Sequence, residues 1–251
     1  MSYAIKVSNL KKSYGSNLVI KGIDLEIFSG EVFALLGVNG AGKTTTLECI
    51  EGLRKYDSGS ISVNGKLGIQ LQSSSLPSHI KTMEAIKLFS KWNKTKIDSF
   101  LLEALNIKDI EKKQYNQMSV GQKRRLHLAL ALISNPDIIF LDEPTAGLDV
   151  EGRFALHQEI RKLKNQGKTI VLASHDMAEV ESLCDRIAIL NEGKIAFCGT
   201  AAELSEKIGK KYFIQVKTIQ GVQTIETDNI ETSLIQMLTE IKSKGQKVLD
   251  I

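Results

Sequence analysis

Residues Gly37-Val38-Asn39-Gly40-Ala41-Gly42-Lys43-Thr44 follow the spacing G-x-x-x-x-G-K-T, and each residue type has a chemical use there. Glycines let the backbone fold tightly enough for successive N–H groups to converge on an oxyanion. A helix starting directly afterwards adds the partial positive charge of its N-terminus. Lys43 can then reach the β- and γ-phosphates of a nucleotide, and the Thr44 hydroxyl can ligate Mg²⁺. An apolar run before the loop and helical character after it supply the strand and helix that this motif requires. The stretch 37–44, with Thr45 beside it, is therefore read as a nucleotide-phosphate site.

A second run, Ile138-Ile139-Phe140-Leu141-Asp142-Glu143, delivers two carboxylates at the end of a strand apolar enough to be buried on both faces. The crevice at the carboxyl ends of such strands is where α/β sheets bind ligands. Asp142 would hold Mg²⁺ as the acidic partner of the phosphate loop. Glu143, pointing the other way in the strand period toward the solvent side of the γ-phosphate, would polarise an attacking water as general base.

Met118-Ser119-Val120-Gly121-Gln122-Lys123-Arg124-Arg125-Leu126 narrows this broad class. It resembles the LSGGQ signature of the ATP-binding cassette (ABC) ATPases, and further motifs agree in order over residues 4 to about 200. Tyr14 in Lys12-Ser13-Tyr14-Gly15 looks like the aromatic that stacks on adenine. Gln72 looks like the Q-loop glutamine, a further ligand of the metal. Pro144-Thr145-Ala146-Gly147-Leu148-Asp149 matches the D-loop, and His175 in Ala173-Ser174-His175-Asp176 follows a strand as the switch histidine does. The resemblance implies a composite site in which Ser119, Gly121, Gln122 and the helix they open cap the γ-phosphate bound by a second copy's Lys43 loop. Asp149 would sit at the same interface, and His175 would orient the water together with Glu143. Val120 departs from the pattern, standing where the first glycine of the usual pair is expected.

The elements around these residues alternate. Residues 4–10, 18–27, 31–37, 67–71, 138–141, 169–173 and 187–190 read as strands, and 43–51, 82–92, 97–105, 121–134, 152–165 and 177–183 as helices. Asn64-Gly65 between 60–63 and 67–71 carries the signal of a type I′ hairpin. The fold implied is α/β: an ABC-ATPase fold of the P-loop NTPases with a mixed, mostly parallel core sheet, a small antiparallel β subdomain and a helical signature subdomain. Residues 1–210 would form this domain, with the helical part inserted at about 73–125. A small α+β extension at 211–251 would follow, with strands at 212–218 and 222–227 and a helix at 228–244. A last strand from 247 runs off the end, as in an abbreviated or truncated tail.

Composition bounds the rest. The 251 residues are 42% hydrophobic and 25% charged, a globular balance that excludes disorder and collagen-like repeats. No apolar stretch approaches the ~18 residues that span a bilayer, and no secretory leader is visible. The net charge of +4 from 33 basic and 29 acidic residues is too small and scattered to point to nucleic acid, and Lys123, Arg124 and Arg125 read as a solvated helix face. Cys49, Cys184 and Cys198 are odd in number and widely spaced, which fits a reducing cytoplasm. His79, His127 and His157 have no motif around them.

The function implied by the resemblance is the ATP-binding, ATP-hydrolysing subunit of an export-type ABC transporter, with ATP and Mg²⁺ as cofactors. Its partners would be a second, identical subunit and a separate transmembrane permease, contacted by the helical segment at 72–118, and it would sit on the inner face of the membrane. The alternative is a soluble ABC ATPase of an assembly system such as iron–sulfur cluster assembly.

Overall fold

Two long strands open the chain, β1 (Tyr3–Tyr14) and β2 (Asn17–Phe28). They pair antiparallel across a turn in which Gly15 takes φ 58°. Ile5, Val7 and Leu10 of β1 and Ile23, Leu25 and Ile27 of β2 are buried while Lys6, Lys21 and Asp24 face solvent, the alternation of a one-sided sheet. A third strand, β4 (Ser58–Val63), adds to the free edge of β1. The computed structural model describes residues 2–70, 75–208, 212–218, 221–227, 230–245 and 248–250.

The larger sheet contains β3 (Val32–Leu36), β5 (Leu67–Gln70), β6 (Ile138–Asp142), β7 (Thr169–Ser174), β8 (Arg186–Asn191) and β9 (Lys194–Gly199) in the order β5-β6-β7-β3-β8-β9. The first five run parallel, and β9 pairs antiparallel with β8 at the edge. Phe33, Leu35, Ile138, Phe140, Val171 and Ala173 share one core with Leu47 and Ile50 of α1 (Lys43–Ile50) and with the buried face of β1 and β2. Residues of opposite parity, such as Ile139, Leu141, Ile170 and Leu172, are equally buried. Strands covered on both faces read as continuous apolar runs, and these do.

Asn64-Gly65 does not close a hairpin. β4 belongs to the small sheet and β5 pairs parallel with β6 in the large one. A type I′ turn needs positive φ at both central residues, but only Gly65 has it, at 140°. Side chains direct the crossing instead: Asn64 Nδ2 donates to Tyr3 O at 3.0 Å, and Lys66 N donates to Asp137 Oδ2 at 2.8 Å.

Between β5 and β6 the chain forms α2 (Thr82–Trp92), α3 (Ser99–Ala104), single 3-10 turns at Ile107–Ile110 and Tyr115–Gln117, and α4 (Val120–Leu132). After β6 come α5 (Val150–Asn165) and α6 (Met177–Leu183). Among the described residues no helix is long and apolar enough to cross a membrane, and no disulfide joins Cys49, Cys184 and Cys198.

Contacts divide the chain into two compact units, Met1–Gly199 and Thr200–Ile251. The second contains α7 (Ala201–Ile208), β10 (Tyr212–Thr218), β11 (Gly221–Thr227), α8 (Ile230–Ser243) and β12 (Val248–Asp250). Its sheet runs β11-β10-β12, all antiparallel, and Met237 and Ile241 of α8 bury against Ile214 and Val216 of β10. β9 and α7 have no counterpart in the sequence reading: β9 is an edge strand whose residues Lys194–Cys198 are exposed or half-buried, and α7 has only 8 residues.

Candidate functional site: a phosphate loop between strand ends

The loop after β3 turns between that strand and α1. Gly37 passes so near β8 that a Cβ there would lie 2.5 Å from Leu190 O, and Gly42, at φ 105°, sets the entry into α1. Gly42 has no side chain to cap the helix, and no acid occupies the first turn. The N–H groups at this end are thus left for an external anion. Lys43 is buried, and its Nζ lies inside the loop, donating to Gly37 O at 2.7 Å and Val38 O at 3.4 Å.

β6 brings the acids to the same place. Thr44 Oγ1 donates to Asp142 Oδ2 at 2.9 Å. The other oxygen, Asp142 Oδ1, is buried with no partner, and burial pushes the carboxyl upward against the opposing pull of Thr44. A hydroxyl beside an unpartnered buried carboxylate oxygen is a hard-oxygen donor set that fits a divalent cation.

Glu143 departs from the expected orientation. Strand alternation would turn it toward solvent, but β6 ends at Asp142 and Glu143 takes φ 49°. Its side chain is only 9% exposed, with Oε1 3.7 Å from Lys43 Nζ and Oε2 2.8 Å from His175 Nδ1. Left-handed backbone at a non-glycine residue costs of order 1 kcal/mol or more and clusters at functional sites. His175 comes from the end of β7, which pairs with both β6 and β3. Lys43, Asp142, Glu143 and His175 therefore all stand at the carboxyl edge of three adjacent parallel strands. A hollow of about 470 Å³ there is lined by Gly37, Val38, Asn39 and His175.

Tyr14, at the end of β1, reaches toward the loop helix, its hydroxyl 3.4 Å from Thr45 Oγ1. Its ring is half-open, with the Arg54 guanidinium 5.3 Å from the centroid. Gln72 lies outside the described residues. Ser119 caps α4: its Oγ accepts from Gln122 N at 3.3 Å, and Gln122 Oε1 accepts from Ser119 N at 3.2 Å. Gln122 is thereby engaged in a reciprocal cap that the sequence reading did not recognise. Val120 stands in the first turn of α4 against Gly147, where a Cβ would lie 3.4 Å from Val120 Cγ1. Asp149 caps α5, Oδ1 accepting from Gly152 N at 2.8 Å. Ser174 and Glu179, both buried beside His175, went unnoticed because no motif spacing marks them.

The family model described as ABC transporter matches residues 20–146. An uncharacterized ABC transporter ATP-binding protein of Methanocaldococcus jannaschii is 36% identical over 214 residues, covering 83% of this chain and 82% of that protein. The Nod factor export ATP-binding protein I of Burkholderia orbicola is 36% identical over 224 residues, 82% of this chain and 74% of that one. Among solved structures, a dimeric bacterial ABC transporter cassette superposes with a TM-score of 0.71 at 26% identity, covering 78% of this chain and 98% of the cassette. A strand-borne phosphate loop, paired acids and overall likeness agree, and the chain belongs to the ABC transporter family as one of its ATP-hydrolysing, ATP-binding subunits.

Proposed function

We propose that Glu143 is the general base of an ATP hydrolysis site that two copies of this chain complete together. The observation that carries the assignment is the placement of one buried carboxylate between Lys43 Nζ and His175 Nδ1. Lys43 and the loop 37–44, with Thr45, bind the phosphates, and Tyr14 stacks on the base. Glu143 takes the proton of the attacking water while His175 holds that water and the γ-phosphate in line. Thr44 and Asp142, with Gln72 as a further ligand, would hold Mg²⁺, which would offset charge developing on the phosphate oxygens. Ser119, Gly121 and Gln122, at the start of a helix 13 residues long, cap the γ-phosphate held by the other copy, with Asp149 at the same interface. Solution of the related cassette as a dimer supports this arrangement.

The energy drives a separate membrane-spanning permease, and docking of the helical segment on that permease holds this chain at the cytoplasmic face of the membrane. Export is the favoured direction, supported by the Burkholderia relative named for Nod factor export. Residues 1–210 act as the cassette, with the helical insert at about 73–125, and 211–251 as an appended α+β unit.

Sedimentation of Glu143→Gln with ATP tests the reading. Dimers that form with ATP and dissociate when it is removed are expected, whereas a chain that stays monomeric at every ATP concentration contradicts the composite site.

A further inference from the structure

The loop carrying His175 is tied to a carboxylate that the chemistry above does not use. Glu179, in the first turn of α6, is 6% exposed. Its Oε2 accepts the Ser174 hydroxyl at 2.7 Å, and Ser174 Oγ in turn accepts the Asp176 backbone N–H at 3.0 Å. Ser174 and Asp176 are the two neighbours of His175, so a single hydroxyl bridges the chain on either side of it. Asp176 adds a second tie, its Oδ1 accepting the N–H groups of Ala178 at 3.0 Å and Glu179 at 3.3 Å. His175 itself is 58% exposed in its side chain and lies 2.8 Å from Glu143 Oε2. Little packing restrains so open a side chain, which leaves the backbone beneath it to fix its direction.

We infer that Glu179 is the positioning residue of His175, acting through Ser174 to hold the 174–176 turn at the angle that brings the imidazole onto Glu143. A buried carboxylate is costly to keep without partners, and here one oxygen takes the Ser174 hydroxyl. The other, Oε1, is buried without a hydrogen-bond partner and lies 3.5 Å from His157 Nε2 of α5. The carboxylate is therefore in contact with the helix that Asp149 caps as well as with the turn of His175. Without the acceptor, Ser174 Oγ is free to rotate, the bridge over His175 opens, and the imidazole samples directions away from Glu143. Catalytic geometry is sensitive to displacements of about 1 Å. The loss therefore falls on turnover and not on nucleotide binding, which the 37–44 loop performs on other strand ends.

This inference rests on the role proposed for His175, so His175→Ala serves as the reference. The expected result is that Glu179→Ala and Ser174→Ala each lower kcat about 10-fold or more while the KM and Kd for ATP stay within about twofold, the pattern of an interaction made only in the transition state. Glu179→Gln, which retains an acceptor for Ser174, is expected to restore turnover to within about threefold of the parent. If His175→Ala abolishes turnover while Ser174→Ala and Glu179→Ala do not, the positioning role is overturned and the role of His175 stands. If His175→Ala turns over normally, the reading beneath it fails. Should Glu179→Ala not fold, the pair Ser174→Ala and Glu179→Gln decides: loss in the first with retention in the second supports the inference, and equal kcat in both overturns it.

Discussion

His175 Nδ1 and Glu143 Oε2 are 2.8 Å apart although they arise from the ends of different strands. β6 and β7 are parallel neighbours with Asp142 opposite Ala173. One more residue on β6 and two more on β7 reach the two groups, so the strand register brings them into range. The left-handed φ of Glu143 does the rest by turning its side chain back over the sheet edge. The contact joins a proton acceptor to the group that would orient the water.

Replacing Glu143 by Gln keeps the shape and removes the carboxylate proposed as the base. Turnover in a steady-state phosphate-release assay is expected to fall by about 10²–10⁴-fold, with ATP still bound at the affinity of the parent. A variant that retained parental kcat would exclude Glu143 from the role.

Asp142→Asn removes a charged oxygen from the Thr44 pair. The Mg²⁺ concentration giving half-maximal turnover is expected to rise about 10-fold or more, the usual consequence of weakening a metal's oxygen ligands. Titration of activity with Mg²⁺ at fixed ATP checks it, and an unchanged midpoint would remove Asp142 from the metal site.

Glu51, at the end of α1, is pushed from 4.5 up to about 7 by burial and then by Asp142 and Glu48, and its Oε2 is buried without a partner. Its folded value lies above the unfolded one, so its contribution is fully present below about 4.5 and lost as pH rises to about 7. His127 has the opposite sign: burial first, then Arg124 and Lys123, bring it down to about 4, and the stability it confers is lost as pH falls from 6.5 to 4. The two trends oppose each other in one window. Glu51→Gln is expected to raise stability at pH 8 by about 1–3 kcal/mol and to leave a steeper loss toward acid. Urea unfolding at pH 8 and pH 5 reads both effects; parallel curves for the two proteins would contradict the assignment.

Phe140 is fully buried in the core between α1 and the strands. Phe140→Ala is expected to cost about 3–5 kcal/mol through lost contacts and a residual cavity, measured as a lowered urea midpoint at unchanged slope. A loss below about 1 kcal/mol would mean that the core collapses around the gap.

Much of the candidate site was legible because a phosphate-loop motif has a fixed local spacing: 37–44 and the acids closing β6 could be read as short strings. The helices at 82–92 and 177–183 were equally legible from apolar periodicity and occupy Thr82–Trp92 and Met177–Leu183. Long-range partners were not. Asn64-Gly65 has the local chemistry of a hairpin, but β5 gains more by joining the fully buried parallel sheet at β6, with Asp137 and Tyr3 fixing the crossing. The inward turn of Glu143 depends on a positive φ that no period-two pattern contains. Ser174 and Glu179 are five positions apart, and only the turn into α6 makes them a pair.

The composite site is tested most directly by mixing two inactive chains. Lys43→Ala is expected to lose phosphate binding and keep its signature turn, whereas Gly121→Glu is expected to keep the phosphate loop and block the signature. In a mixed dimer with two-fold symmetry, one of the two sites is whole. A 1:1 mixture of two separately inactive variants is therefore expected to recover up to about a quarter of parental turnover, from half of the dimers with one good site each. A mixture as inactive as its components would contradict a site shared between two copies.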